Sequence, residues 1–259
     1  MNISVKSRLW MAALAAAVLL LPAHRALALG LEGAVGYWVQ DPSGTAEYAP
    51  LSALDTLDIE RDLGYDSESK PFARLKADLM LLKLYGMATP MKFDGTGAKA
   101  VNFKFGNRVF TANVPVDSET QLDHYDVALL FDVPFLGTLT NDVLRAELGL
   151  NARIIDFSIE VKQPTTGLRE AESYTLALPM VYAGVQFKPF DSLSIEAEGR
   201  GITYNGDSYY DLIGRVKLSP VPLFFVAGGY RYENLDVDEN DVVVDLEFAG
   251  PFVEVGLEF

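Results

Sequence analysis

The sequence predicts an all-β protein, an antiparallel up-and-down transmembrane β-barrel of ten strands. Three observations predict it. Segment after segment alternates with a period of two, and in several of them one face is apolar while the other carries charge. An export segment opens the chain, yet no later uncharged run reaches the ~20 residues a membrane-crossing helix needs. Finally, 49% hydrophobic against 22% charged is too apolar for disorder, and the apolar residues are spread singly rather than in blocks.

The export segment is residues 1–28. Lys6 and Arg8 form its positive end, Leu9 to Leu21 its short apolar run, and Ala26-Leu27-Ala28 a small-x-small cleavage site, so cleavage is expected after Ala28. Residues 29–259 then form one barrel domain. The first strand is Leu31 to Gln40, with Leu31, Val35, Tyr37 and Val39 on one face and Glu32, Trp38 and Gln40 on the other. Ala73, Leu75, Ala77 and Leu79 oppose Arg74, Lys76 and Asp78, and after a tight connection Tyr85, Met87, Thr89, Met91 and Phe93 continue an apolar face. Tyr125, Val127, Leu129 and Phe131 oppose His124, Asp126 and Asp132. The segment from Leu144 carries the most weight: Leu144, Ala146, Leu148, Leu150, Ala152 and Ile154 back onto Arg145, Glu147, Gly149, Asn151 and Arg153, as expected where one face meets lipid and the other a wet lumen.

The pattern continues with Leu193 to Arg200, Tyr209 to Leu218, Phe224 to Glu233 and Phe252 to Phe259. In Tyr174 to Lys188 the apolar phase moves from Leu176 and Leu178 to Val181, Ala183, Val185 and Phe187, which predicts a bulge near Pro179. Val242, Val244, Leu246 and Phe248 are out of phase with Val253, which predicts a second bulge near Gly250-Pro251. Ten strands return both chain ends to one side, and short links such as Pro189 to Ser192 alternate with longer ones, Asp41 to Ser69 and Asp94 to Gln121 above all. Gly106-Asn107 predicts a surface hairpin within the second long link. Leu51, Leu54 and Leu57 have the spacing of a short helix or strand extension capping the mouth, while the reading preferred for so long a link is a packed surface loop with some apolar anchoring. Tyr37, Tyr125, Phe131, Tyr182, Phe187, Phe190, Tyr204, Tyr210 and Tyr232 are candidates for two aromatic girdles.

Composition excludes several classes of function. Without cysteine there is no disulfide framework, Cys-based zinc site or thiol nucleophile. A net charge of -15 and no basic patch argue against nucleic acid as a partner.

The ending Phe252-Val-Glu-Val-Gly-Leu-Glu-Phe259 resembles the assembly signal of bacterial outer-membrane barrels, carried by Val253, Val255, Leu257 and Phe259. The chain also resembles a family of small, functionally uncharacterised proteobacterial outer-membrane β-barrel proteins. Leu122 to Phe131, Leu178 to Ala183, Tyr209 to Leu212, Gly229 to Tyr232 and Phe248 to Phe252 carry that resemblance. It implies a Gram-negative outer-membrane location, contact with outer-membrane lipid and lipopolysaccharide, and passage through periplasmic chaperones to the barrel-assembly machinery. It implies no activity, and no cofactor is expected.

The candidate functional residues are a charged lumen network: Arg74, Lys76, Asp126, Arg145, Glu147, Arg153, Glu196, Glu198, Arg200, Asp211, Arg215, Arg231 and Glu233, with Glu32, Asp78, Lys217, Asp245 and Glu254 on the same predicted side. Such charges pair, because an unpaired one in a confined lumen is costly. If they interlock, the barrel is a structural scaffold or surface-loop interaction protein with a narrow or plugged lumen; if water threads between them, it is a narrow passive pore for small solutes. Enzyme is the remote reading, a hydrolase using His124 and Asp126, which share a face two residues apart. No metal site is expected: Asp236, Asp238 and Glu247 have the spacing of a calcium loop, but Asp241 stands where that loop needs glycine.

Overall fold

The computed structural model describes residues 30–259 apart from 80, 81 and 240, so the expected export segment lies outside the described residues. Ten strands form the barrel: β1 (Leu31–Tyr48), β2 (Glu68–Leu79), β3 (Leu82–Thr89, carried on by Lys92–Gly97), β4 (Val116–Asp132), β5 (Leu144–Gln163), β6 (Leu168–Phe190), β7 (Leu193–Tyr204), β8 (Asp207–Val221), β9 (Phe224–Glu239) and β10 (Val242–Glu258). Each pairs antiparallel with the next, and β10 closes onto β1 from Glu32↔Glu258 to Tyr48↔Val242. At the seam, the Phe259 N–H donates to the Leu31 carbonyl at 2.8 Å and the Leu31 N–H to the Phe259 carbonyl at 3.2 Å. Both ends of the described chain therefore sit at one mouth, the terminal end, opposite a loop end.

Closure leaves no unpaired edge in the lower wall, so the pleat alone decides which side chains face in. On β5, Leu148, Leu150 and Ile154 face out and are exposed, while Asn151 and Arg153 are buried inside. The outward apolar run from Leu144 to Ile154, at ~3.3 Å per residue and a tilt of about 40°, is roughly 25 Å tall, the height of a membrane band. Tyr37, Tyr125, Tyr204, Tyr210 and Tyr232 mark its loop-end margin, and Phe131, Phe187 and Phe190 its terminal-end margin. Tyr182 belongs to neither girdle; it points into the lumen and is buried.

Above that margin the polarity turns inside out. Beyond Ile154 on β5, Asp156, Ser158, Glu160 and Lys162 face out, while Ile155, Phe157, Ile159 and Val161 face in. This inversion replaces both predicted bulges. β6 holds one register against β5 from Leu168↔Gln163 to Phe187↔Leu144, and β10 holds one against both β9 and β1. Leu176 and Leu178, like Leu246 and Phe248, lie on the inner face of an unbroken strand; only the surroundings change. Pro179 pairs with Ala152 of β5 but lies beyond the last β6–β7 pair, Val181↔Gly201, so on its β7 side there is no ladder to interrupt and no bulge is needed. The same rule corrects the apolar face of β3: Tyr85, Met87, Thr89, Met91 and Phe93 are all inside, and Leu82 and Leu84 meet the exterior.

The first long link folds inward. Leu57–Asp58 pairs with Thr45 and Ala46 of β1, and Leu57, Ile59, Leu63 and Tyr65 are buried in the upper barrel. Its backbone lies so close to β3 that a side chain at Gly95 would collide with Gly64, which itself takes a φ of 73°. Around Leu51 helix is limited to a single 3-10 turn, Ala53–Asp55; Leu51 and Leu54 are exposed, and only Leu57 points in, anchoring the link as a packed loop would. Strand pairing with β1 takes up the rest of the segment. The second long link carries the expected hairpin, Phe103–Phe105 against Arg108–Phe110, whose three phenylalanines are buried over the mouth. The remaining loop-end links are short, so the predicted asymmetry rests on the first two links. The calcium-loop spacing is broken as well: Asp236 and Asp238 lie within β9, and Asp236 pairs with Asp245.

Placing the band on Leu144 to Ile154 makes a depth-dependent prediction. Leu150→Arg, near its middle, should cost about 2–4 kcal/mol of barrel stability, and Ser158→Arg, the second outward position above Ile154, about 0–1. Denaturant titration of the barrel refolded in phospholipid vesicles reads both.

Candidate functional site

The lumen charges assemble in two layers. Near the terminal end, Arg74 on β2 forks onto Glu254 of β10, at 3.0 and 2.7 Å, and also binds Glu32 of β1. Lys217 bridges Glu32 and Glu258, each at 2.6 Å, and Arg215 binds Glu198. Lys76 and Lys83 share Glu147. Arg145 stands apart: it lies at the rim, half exposed, and pairs with Asp142 of the adjoining link at 3.3 Å. Being the first inward residue of β5 after that link, it has water beside it and no facing wall. Asp245 also leaves the predicted set, since it is on the outer face of β10 above the inversion.

The second layer sits where the band ends. Arg153 of β5 donates to Asp126 through two nitrogens, both at 2.9 Å, to Glu233 at 2.8 Å and to Asp211. Arg231 forks onto Asp211 at 2.9 and 2.7 Å and reaches Thr89 at 2.9 Å, while Arg200 approaches Asp126 at 3.3 Å. Three guanidiniums thus interlock with three carboxylates contributed by β4, β5, β7, β8 and β9. Each guanidinium also lies over an aromatic ring: Arg231 over Trp38 at 4.5 Å, Arg153 over Tyr209 at 4.9 Å and Arg200 between Tyr85 and Tyr182 at 5.2 and 5.6 Å. Arg153, Asp211, Glu233, His124, Thr89 and Trp38 have no solvent-accessible surface at all. Water does not thread this layer.

The proposed His124–Asp126 pair does not form. Asp126 is held by Arg153 and by the Asn151 amide at 2.6 Å. His124 Nε2 lies 3.0 Å from an Arg231 nitrogen that can only donate, so Nε2 is the acceptor and Nδ1–H faces the Leu122 carbonyl at 3.3 Å. That tautomer leaves no lone pair for a substrate proton. His124, Asp211 and Glu233 bring potential ligand atoms within 4.8 Å of one another, but the guanidiniums of Arg231 and Arg153 already occupy them. The alternation in the sequence identified the charged partners. It put Trp38 and Tyr209 on the charged face but gave their rings no partner, and it placed Tyr182 in a girdle and Tyr85 on an apolar face; their position beside inward arginines on neighbouring strands was the available signal.

Comparison with solved structures decides the fold. The outer membrane protease OmpT of Escherichia coli superposes with a TM-score of 0.58 over 91% of this chain and 99% of that one, at 8% identity. The chain has the fold of an outer-membrane β-barrel. The translocator domain of the autotransporter NalP from Neisseria meningitidis (TM-score 0.45, 13% identity, 98% and 96% covered) and the attachment invasion locus protein Ail of Yersinia pestis (0.40, 12%, 89% and 99%) are also similar. No family model and no curated protein matches the sequence.

Two outcomes test the site and its lid. Arg153→Met strips the common partner of Asp126, Asp211 and Glu233 and should destabilise the barrel by about 3–5 kcal/mol in a denaturant titration, as breaking a buried pair does. At the loop end, Asp55 accepts N–H groups from Leu51, Ser52 and Lys104 at 2.8, 2.9 and 2.6 Å, tying the first long link to the hairpin. Burial pushes its carboxyl up, but those N–H donors outweigh burial and hold it below its ordinary value of 3.8. A lowered folded pKa means the tie is at full strength above pH ~4 and weakens as pH falls. Amide exchange at Lys104, corrected for the intrinsic effect of pH, should therefore accelerate on acidification below that point, and Asp55→Asn should remove the acid dependence.

Proposed function

We propose that this chain is a closed outer-membrane barrel that acts through its loop end, as a structural or surface-interaction protein, and that it is neither a pore nor an enzyme. The carrying observation is the layer around Arg153, Asp211, Arg231 and Glu233, which is dry and shared by strands from all round the wall. A passive pore would need those pairs to part, and each carboxylate released would face a low-dielectric interior alone. The buried tautomer of His124 speaks against the hydrolase reading in the same way.

Export by residues 1–28 and delivery through periplasmic chaperones to the barrel-assembly machinery belong to this reading. Val253, Val255, Leu257 and Phe259 stand on the outer, exposed face of the closing strand, where an assembly factor can reach them. The loop end would face outward, and lipid and lipopolysaccharide would surround the band. Just above the band the outer face carries Asp41, Asp123, Asp156 and Glu247, so contact with lipopolysaccharide phosphates would run through divalent cations.

Planar-bilayer recording on the refolded mature protein, residues 29–259, checks the closed lumen. The expected trace is silent, and Asp211→Ala with Glu233→Ala should introduce current steps if the barrel still folds. Discrete steps from the unaltered protein would sink the proposal in favour of the narrow pore.

A further inference from the structure

Above the ion-pair layer the barrel encloses a second, quite different space. It is a cavity of about 270 Å³ in the part of the wall that projects beyond the band, lined by Phe93, Phe105, Phe157, Val244, Leu246 and Phe248 among others. Its few polar side chains are already satisfied by one another. Tyr65 and Thr120 share a hydrogen bond of 2.7 Å, and the Tyr48 hydroxyl donates to Glu172 at 2.9 Å. Water entering such a space would find few partners, and genuinely apolar cavities stay dry and take up apolar guests.

We infer that this chamber is a binding site for a small uncharged apolar molecule, a fused or substituted aromatic or a hydrocarbon chain. A cavity of ~150 Å³ accommodates benzene, so this one suits a guest on the order of ten carbons. The carboxylate of Glu172 on its wall excludes anions, which separates the guest from a fatty-acid carboxylate. The structure also supplies a way in. β6 loses its neighbour beyond Val181↔Gly201, and the β7–β8 hairpin stops at Tyr204 and Asp207, so the wall beside Glu172 and Tyr174 is low just above the band. Tyr174 faces the chamber and is still 44% exposed. The bond from Tyr48 on β1 to Glu172 on β6 spans the barrel and latches the top, leaving the side as the open route.

The test uses the mature barrel in lipid nanodiscs with 4-fluorotoluene as the probe, followed by fluorine NMR against empty nanodiscs. The expected result is saturable uptake beyond the empty discs. Ile159→Trp, which points a large ring into the chamber, should weaken it at least about tenfold, while Ser158→Trp on the outer face of the same strand should leave it unchanged. 4-Fluorobenzoate should bind at least about tenfold more weakly than the neutral probe. Folding is verified by heat-modifiable gel mobility, and Val244→Phe replaces Ile159→Trp should the latter fail to fold. Uptake no greater than by empty discs, or equal in the inner and outer variants, overturns the site; equal binding of the benzoate overturns its selectivity. Neither result depends on whether the lumen below conducts.

Discussion

A closed antiparallel ladder fixes, for the whole length of each strand, which side chains face in. Everything else in this barrel follows from that constraint meeting two solvents. Along β5 the outer face must be hydrocarbon-compatible up to Ile154 and water-compatible from Asp156 onward, and the inner face takes the complementary residues at each height. The strand cannot change phase without breaking register with both neighbours, so the polarity of the interior changes instead. The result is a barrel with a charged core inside the membrane band and an apolar core above it, joined end to end.

The two cores are stabilised differently. The upper one resembles the interior of a soluble protein, where Phe93, Phe103, Phe105, Phe110 and Phe248 leave water and two inward-folded links supply the packing. The lower one contains charges whose desolvation is costly, offset by forked, multiply shared geometry and by aromatic faces over the guanidiniums. Such a network gains little over apolar packing, but it fails badly when one member is lost. It therefore holds the lumen to one arrangement, and the chamber above rests on a rigid floor.

Most of the band was legible in the sequence because one face of each strand meets lipid and the other a charged lumen: Leu144 to Arg153 reads directly as wall and interior. The reading failed where apolar residues were assumed to face outward at every height. Leu246 and Phe248 are apolar for an interior and Val253 and Val255 for an exterior, and a period-two pattern cannot distinguish that from a bulge. The same assumption misplaced Tyr85 and Met87. Which charges touch was not legible either. Asp126 is two residues from His124 yet binds Arg153 across the adjoining strand, a relation set by register that no local spacing contains.

The seam between β1 and β10 has a consequence for how the molecule is made. Leu31 and Phe259 are hydrogen-bonded neighbours in space at opposite extremes of the described chain. No local hairpin can form that contact, and loop-closure entropy must be met before it contributes anything. Until β10 docks onto β1 the sheet has two raw edges, one of them β1 with its apolar outer face. The ring can close only once β10 is in place, so the kinetic hazard of this fold lies in the open sheet, and without β10 the remaining nine strands would keep their eight neighbour pairings and still form no barrel.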